Sequence, residues 1–252
     1  AKLTLIGSSD ARMDPDALDA EMARHGRRDV HAPQIGPVSI TQVTERGTLY
    51  PLDQIRTIAE VTHRHGSRLH LDGARFANAC AALGCTPADM SWKQGVDAVS
   101  FGGTKNGCMG VEAVILFDPA QAWEFELRRK RGAHLFSKSR FLAAQMDAYM
   151  TDGLWLEMAN RANGAAALLA TELGKFPGVS FLFEAQANMV FPVLPQAAHR
   201  RLHEAGAMYY LHDGSLDDDP QKDLGARLVV DWSCERANID RFIALVRGDE
   251  RA

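Results

Sequence analysis

Long apolar runs and concentrated positive charge are both missing from this sequence. No apolar run approaches the roughly 18 residues of a membrane-spanning helix. The first ten residues, AKLTLIGSSD, lack the charged start and apolar middle of a signal peptide. The chain of 252 residues has a net charge of −4 and only short basic runs, so it has no electrostatic footprint for DNA or RNA. These absences predict a cytoplasmic protein that binds neither membranes nor nucleic acids.

Cysteines at metal-binding spacing are also missing. The four cysteines show no Cys-x-x-Cys spacing, and no histidine pair lies near them in the sequence. We therefore predict no metal site and expect reduced, partly buried thiols. The four are Cys80, Cys85, Cys108 and Cys234.

What the first half of the chain does contain is an alternation of strand and helix patterns. Asp14 and Pro15 are typical of a helix start, as the N-cap residue and the first helical position. Apolar spacing predicts further helices over 52–62 and 76–83, and strands over 2–6, 38–40, 69–71, 96–101 and 113–117. The strand 96–101 is nearly all apolar, as expected where helices cover both faces of a parallel sheet. The alternation predicts a doubly wound α/β sheet.

The pattern changes in the second half. It is mainly helical from 119 to 173 and then shows short strands with two further helices. We therefore divide the chain into a large domain over 1–150, ending in a helical bridge, and a small C-terminal α+β domain over 151–252.

Polar residues follow two of the predicted strands. LHLDGAR places Asp72 and Arg75 after the first of these strands, and SFGGTKNG places Lys105 after the second. Because ligands collect at the carboxyl ends of parallel strands, both clusters could face one crevice. A lysine bound to the aldehyde of pyridoxal phosphate, with a carboxylate on the pyridinium nitrogen, is the recurring arrangement for that cofactor. Each residue also has a simpler interpretation: Asp72 as an N-cap or turn residue, and Lys105 as a solvated loop lysine.

These two motifs, with VSITQVTERGTLYPLDQI before them and ARLVVDWS after them, resemble the low-specificity L-threonine aldolases. That family belongs to the β-eliminating lyase superfamily and depends on pyridoxal phosphate. The resemblance covers essentially the whole chain in the right order. It implies a PLP-dependent transferase-like fold (fold type I), with a mostly parallel sheet in the large domain and a smaller C-terminal α+β domain.

The resemblance also implies roles for five residues. Lys105 matches the lysine bound to the cofactor, Asp72 the carboxylate on the pyridinium nitrogen, and Arg75 the arginine at the ring oxygen. Arg227, in ARLVVDW, matches the arginine that binds the substrate carboxylate, a task suited to a rigid bidentate group. His31, which residue patterns alone would leave on the surface, matches an active-site histidine near the substrate hydroxyl.

Family members carry a further segment before the position of Ala1, including a glycine turn for the phosphate and a histidine that stacks on the ring. We therefore expect this chain to be a fragment of the enzyme, with a partial cofactor-binding domain over 1–150. The GSSD segment at Gly7 is interpreted as a plain turn.

The activity implied is cleavage of L-threonine, L-allo-threonine and related β-hydroxy-α-amino acids to glycine and an aldehyde. The alternatives are another pyridoxal-phosphate lyase, an aminotransferase, or an inactive fragment. The resemblance also implies a homotetramer built as a dimer of dimers. The basic run from Arg128 to Arg131 fits either contact with the phosphate or a solvated helix face.

Overall fold

A computed structural model describes residues 2–25 and 30–249. The chain forms two compact units. The first comprises residues 1–45 and 49–156, and the second comprises residues 46–48 and 157–252.

The first unit alternates strands and helices, as its sequence predicts. Its elements are α1 (Pro15–His25), β1 (Val38–Thr41), α2 (Leu52–Arg64), β2 (Leu69–Gly73), α3 (Phe76–Leu83), α4 (Pro87–Met90), β3 (Ala98–Gly102), β4 (Glu112–Leu116), α5 (Ala122–Arg131) and α6 (Arg140–Met150). The predicted start of α1 is confirmed, because Asp14 Oδ1 accepts a hydrogen bond of 2.8 Å from the backbone N of Ala17. Gly26, the expected stop of this helix, lies outside the described residues.

The four strands form one sheet in the order β1-β2-β3-β4. The first two pairings are parallel and the pairing of β3 with β4 is antiparallel. Asp72 lies opposite Thr41 on one side and Ser100 on the other. The predicted α/β class with a mostly parallel sheet is confirmed.

One face of this sheet is the apolar core of the unit. Leu69 and Leu71 on β2 are fully buried, as are Ile55 and Ile58 on α2, which packs against that strand. Alternate residues of a strand point to opposite faces, so the buried residues of β2 share one face. Burial of this apolar surface is the main stabilising contribution in the unit.

The other face of the sheet is polar and less buried, which differs from the expectation that helices cover both faces. Ser39 is exposed there, and His70, Asp72 and Ser100 are half-buried. Val114 on β4 is 48% exposed. The nearly apolar sequence of β3 predicts two covered faces, but Ser100 interrupts it and lies on the polar face, where it contacts His70.

The predicted strand over residues 2–6 is wrong. These residues form neither strand nor helix, and Leu3 and Leu5 are 87% and 89% exposed. Alternation alone does not make a strand where no neighbouring strand supplies hydrogen bonds.

The second unit is an antiparallel sheet packed with helices. Its elements are α7 (Leu154–Leu173), which begins in the first unit, β5 (Ser180–Phe181), β6 (Met189–Val190), β7 (Pro192–Pro195), α8 (Gln196–Glu204), β8 (Tyr210–Leu211), β9 (Asp223–Val229) and α9 (Arg236–Arg247). The strand order is β5-β7-β9-β6, with β8 also paired to β9. Leu173, Leu194, Leu202 and Val190 are buried together at its centre.

Within residues 2–25 and 30–249, no helix combines the length and the apolarity needed to cross a membrane.

Candidate active site

Asp72 lies at the carboxyl end of β2, on the polar face of the sheet. Its side chain is half-buried, and its Oδ1 accepts a hydrogen bond of 3.1 Å from the backbone N of Ala74. Its backbone oxygen accepts a hydrogen bond of 2.9 Å from the N of Gln42, in the loop after β1. The carboxylate is thus fixed through one oxygen, while its second oxygen can receive a ligand N–H.

The ends of β2 and β3 are in close contact at two glycines. A Cβ built on Gly102 would lie 2.5 Å from the carbonyl oxygen of Ala74. A Cβ on Gly73 would lie 2.8 Å from the oxygen of Ser100. Real Cβ atoms do not approach backbone so closely, so only glycine lets these two loops meet. The contact brings the segment that follows Asp72 against the segment that leads to Lys105.

Lys105 lies in a short 3-10 helix, Thr104–Asn106, directly after β3, and its side chain is exposed. The next residue is the anchor of the loop. The Asn106 side chain is buried and donates hydrogen bonds to the hydroxyl of Tyr149 (2.6 Å) and the backbone oxygen of Trp155 (2.8 Å). Burial raises the pKa of Tyr149 to about 12, so its hydroxyl stays protonated at neutral pH.

The far end of the lysine loop is held by α6. Gln145 Oε1 accepts hydrogen bonds from the backbone N of Met109 (3.0 Å) and of Gly110 (3.1 Å). Thr104 Oγ1 accepts a hydrogen bond of 3.1 Å from the N of Val111, which closes the loop on itself. An exposed amine is therefore carried by a loop whose backbone is fixed at both ends.

Arg75 immediately precedes α3 and is 6% exposed. The next residue, Phe76, packs edge-on against Phe101 of β3 with 5.6 Å between ring centroids, and Trp155 packs edge-on against the same ring at 5.8 Å. The structure therefore places Asp72 and Arg75 at and just after the end of β2, and Lys105 just after the end of the adjacent strand β3.

The other two predicted site residues, His31 and Arg227, do not lie at these strand ends. His31 is exposed in the turn that follows α1, ahead of β1. Arg227 lies on β9 in the second unit, half-buried, with its Nη2 3.7 Å from the Sδ of Met189. Their predicted roles at the substrate stay predictions.

The residues at the strand ends fit the ring and aldehyde of pyridoxal phosphate. Among the described residues, one donor, the N of Ala74, contacts the Asp72 carboxylate, which leaves an oxygen for a pyridinium N–H. Lys105 offers an exposed amine on the neighbouring loop. The donor set, a carboxylate, an amine and a buried guanidinium, has the chemistry that this cofactor needs.

Two other segments named from the sequence have local structural roles. GSSD forms a turn in which Asp10 accepts hydrogen bonds from Ser8 and Arg12. Burial opposes ionisation of this carboxyl, but the bonds from Arg12 and Ser8 lower its pKa to about 2. In the basic run at the end of α5, Arg128 pairs with Glu124 at 2.8 Å on the same exposed helix surface.

Three residues around the site were missed from sequence: Asn106 and Gln145, which hold the lysine loop, and His70, which shares a sheet face with Asp72. His70 stands two residues before Asp72, so strand alternation would have placed both on one face. Asn106 and Gln145 act through contacts with residues more than thirty positions away, and no local pattern signals them.

The α/β fold, with one mostly parallel sheet and a second, antiparallel sheet, is that of the pyridoxal-phosphate-dependent proteins of fold type I. The sequence is more specific. The chain belongs to the beta-eliminating lyase family, whose model matches residues 1–215.

Individual relatives support the assignment to this family. The chain is 38% identical over 247 residues to the low specificity L-threonine aldolase of Pseudomonas sp. (strain NCIMB 10558), covering 98% of this chain and 68% of the relative. It is 42% identical over 221 residues to the low specificity L-threonine aldolase of Pseudomonas aeruginosa, covering 88% of this chain and 61% of the relative. The solved structure of Leishmania major threonine aldolase superposes with a TM-score of 0.82 at 26% identity, covering 96% of this chain and 68% of that one. The chain thus spans about two thirds of the length of these proteins.

Proposed function

We propose that this protein takes part in the cleavage of L-threonine, L-allo-threonine and related β-hydroxy-α-amino acids to glycine and an aldehyde, with pyridoxal phosphate as its cofactor. The observation that carries the proposal is the contact of Gly102 with Ala74, which joins the strand ends bearing Asp72 and Lys105. The names of the Pseudomonas relatives support the choice of substrate.

Three residues would contact the cofactor. Lys105 would hold the aldehyde of the cofactor through its amine, which must lose its proton to do so. Asp72 would keep the ring nitrogen protonated, and Arg75 would bind the ring oxygen. The bound cofactor supplies an electron sink for the pair released when the Cα–Cβ bond breaks.

At the substrate, Arg227 fixes the carboxylate through two parallel N–H···O bonds. His31 removes the β-hydroxyl proton, either directly or through a water molecule that it orients. As that proton leaves, the electron pair of the O–H bond forms the C=O bond of the aldehyde and the Cα–Cβ bond breaks. Cα then gains one proton to give glycine, which balances the proton lost from the hydroxyl.

The same proposal includes the assembly and the location. The large domain over 1–150 carries the cofactor residues, and the small domain over 151–252 contributes Arg227. Family likeness supports a cytoplasmic homotetramer built as a dimer of dimers. Light scattering on the purified protein, which gives the mass of the assembly, tests this part.

The activity is tested by incubating the purified protein with pyridoxal phosphate and L-allo-threonine and measuring glycine and acetaldehyde. Equal amounts of both are expected, and Lys105→Ala should abolish their formation while Lys93→Ala, on an exposed lysine paired with Asp89, should not. Release of ammonia with a keto acid would indicate elimination instead, and a keto acid without ammonia would indicate transamination. Absence of all products would contradict the proposed activity.

A further inference from the structure

A row of three hydrogen-bonded side chains crosses the polar face of the sheet next to Asp72. His70 Nδ1 lies 2.8 Å from the Oγ of Ser39 on β1, and its Nε2 lies 2.9 Å from the Oγ of Ser100 on β3. The imidazole of β2 thus bonds both neighbouring strands at once. Nothing in the proposed function uses this row.

The row lies on the same face of the sheet as the carboxylate, two residues before it on β2. His70 and Asp72 are two residues apart on one strand, so their side chains share a face. Ser100, which contacts the imidazole, is the register partner of Asp72. Any shift of β2 against β3 would therefore change the His70–Ser100 bond and the position of the Asp72 carboxylate together.

The imidazole is held in a setting that favours its neutral form. Burial lowers the pKa of His70, and the charge of Asp72 opposes this shift only in part. The side chains that it contacts on β1 and β3 are the hydroxyls of Ser39 and Ser100, and Asp72 is the charged group that acts on its pKa. A neutral neighbour leaves the negative charge of Asp72 uncompensated.

We propose that His70 is a positioning residue for Asp72. Its two hydrogen bonds hold β2 against β1 and β3 close to the carboxylate, and the charge of Asp72 stays available for the ring nitrogen of the cofactor. This inference rests on the proposed function. It predicts that replacing His70 weakens the contribution of the ring nitrogen to cofactor affinity and leaves the other contributions unchanged.

The rival explanation is that the row only stabilises the sheet. A matched control exists at the opposite end of the strands, where His63 Nε2 contacts Asp97 Oδ2 at 2.8 Å. His63→Phe also removes a side-chain contact of an imidazole, but at the end of β2 away from Asp72. If the row only stabilises the sheet, His70→Phe and His63→Phe should change cofactor binding in the same way.

The first experiment needs no cofactor. The ring of His70 is titrated by NMR in the wild-type protein and in Asp72→Asn. Because the Asp72 charge favours the protonated ring, removing it should lower the pH at which His70 takes up a proton. An unchanged titration would show that the two groups are not coupled and would overturn the inference.

The second experiment measures binding of pyridoxal phosphate and of its deaza analogue, in which carbon replaces the ring nitrogen. His70→Phe should weaken binding of pyridoxal phosphate about tenfold or more, the effect of disturbing one hydrogen bond to a charged group. It should leave binding of the deaza analogue unchanged. His70→Gln, whose amide can still reach Ser100, should recover most of the loss, and His63→Phe should bind both ligands like the wild type.

The outcomes separate the inference from the function on which it rests. Equal loss of both ligands in His70→Phe, or no loss of either, would overturn the inference alone. A wild-type protein that binds no pyridoxal phosphate would overturn the proposed function and the inference with it. If His70→Phe does not fold, Ser100→Ala and His70→Gln decide: Ser100→Ala should show the same selective loss, and equal loss of both ligands there would contradict the inference.

Discussion

Gly102 lies against the backbone of Ala74 so closely that a Cβ on the glycine would be 2.5 Å from the Ala74 oxygen. Gly102 is the last residue of β3 and Ala74 directly follows β2, and each is within three positions of a proposed cofactor residue. The contact therefore fixes the spacing of Asp72 and Lys105 through backbone atoms, which cannot relax by changing a rotamer.

Replacing Gly102 by alanine should separate these strand ends. We expect a loss of about 1–3 kcal/mol in the free energy of unfolding, typical of overpacking, together with much weaker binding of pyridoxal phosphate. Gly110→Ala is the control, since nothing lies within 4 Å of a Cβ at that position. Urea unfolding and cofactor titration check both variants, and equal behaviour of the two would contradict the prediction.

Asn106→Ala should loosen the lysine loop. It removes a buried donor from the hydroxyl of Tyr149 and the oxygen of Trp155, and leaving such groups unsatisfied costs about 1–3 kcal/mol. Tyr149→Phe removes only one of these bonds and should cost less. Hydrogen exchange of the backbone N–H groups around Lys105 measures the loosening. Faster exchange in Tyr149→Phe than in Asn106→Ala would reverse the expected order.

Asp72→Asn should lose most of the aldehyde release, because an amide does not hold a proton on the ring nitrogen as a carboxylate does. The fold should persist, since the amide oxygen can still accept the bond from the N of Ala74. Asp16→Asn, on the exposed surface of α1, is the control. Undiminished turnover in a folded Asp72→Asn variant would remove Asp72 from the site.

The second unit should lose stability in mild acid through His199. This side chain is fully buried, with Nε2 3.0 Å from the oxygen of Leu224 and Nδ1 2.8 Å from the hydroxyl of Tyr209. Burial lowers the pKa of His199 in the folded state, so the unfolded chain takes up the proton first. The contribution of this residue is complete above the unfolded pKa of about 6.5 and is lost as the pH falls below it.

The measurement is the urea midpoint of wild type and His199→Gln between pH 7.5 and 5.5. Carboxylates with lowered pKa values add their own acid sensitivity to both proteins, so the difference between the two isolates His199. The wild type should lose stability more steeply than the variant. Parallel curves would show that the ring is not held neutral.

Much of the first unit could be predicted from sequence because its elements are signalled locally. The cap at Asp14, the helical spacing of α2 and the apolar strand β2 all rest on neighbours within a few positions. The positions of Asp72 and Lys105 at neighbouring strand ends could also be predicted, because the carboxyl ends of adjacent parallel strands lie side by side.

Features that depend on distant contacts were not predictable in this way. The antiparallel direction of β4 depends on the path of the chain after Lys105, and residues 2–6 have the alternation of a strand without its pairing. The sequence predicts a domain boundary after residue 150, and the two compact units divide between Leu156 and Glu157. Residues 46–48 group with the second unit. Such grouping is a property of packing and leaves no local signal.

The most direct test of the account is reduction of the protein with borohydride in the presence of pyridoxal phosphate, followed by peptide mapping. The account predicts a visible absorbance band that disappears on reduction and a single stable adduct on Lys105. It also predicts that Lys105→Ala gives no adduct. A stable adduct on another lysine, with Lys105 unmodified, would contradict the assignment from which every other role follows.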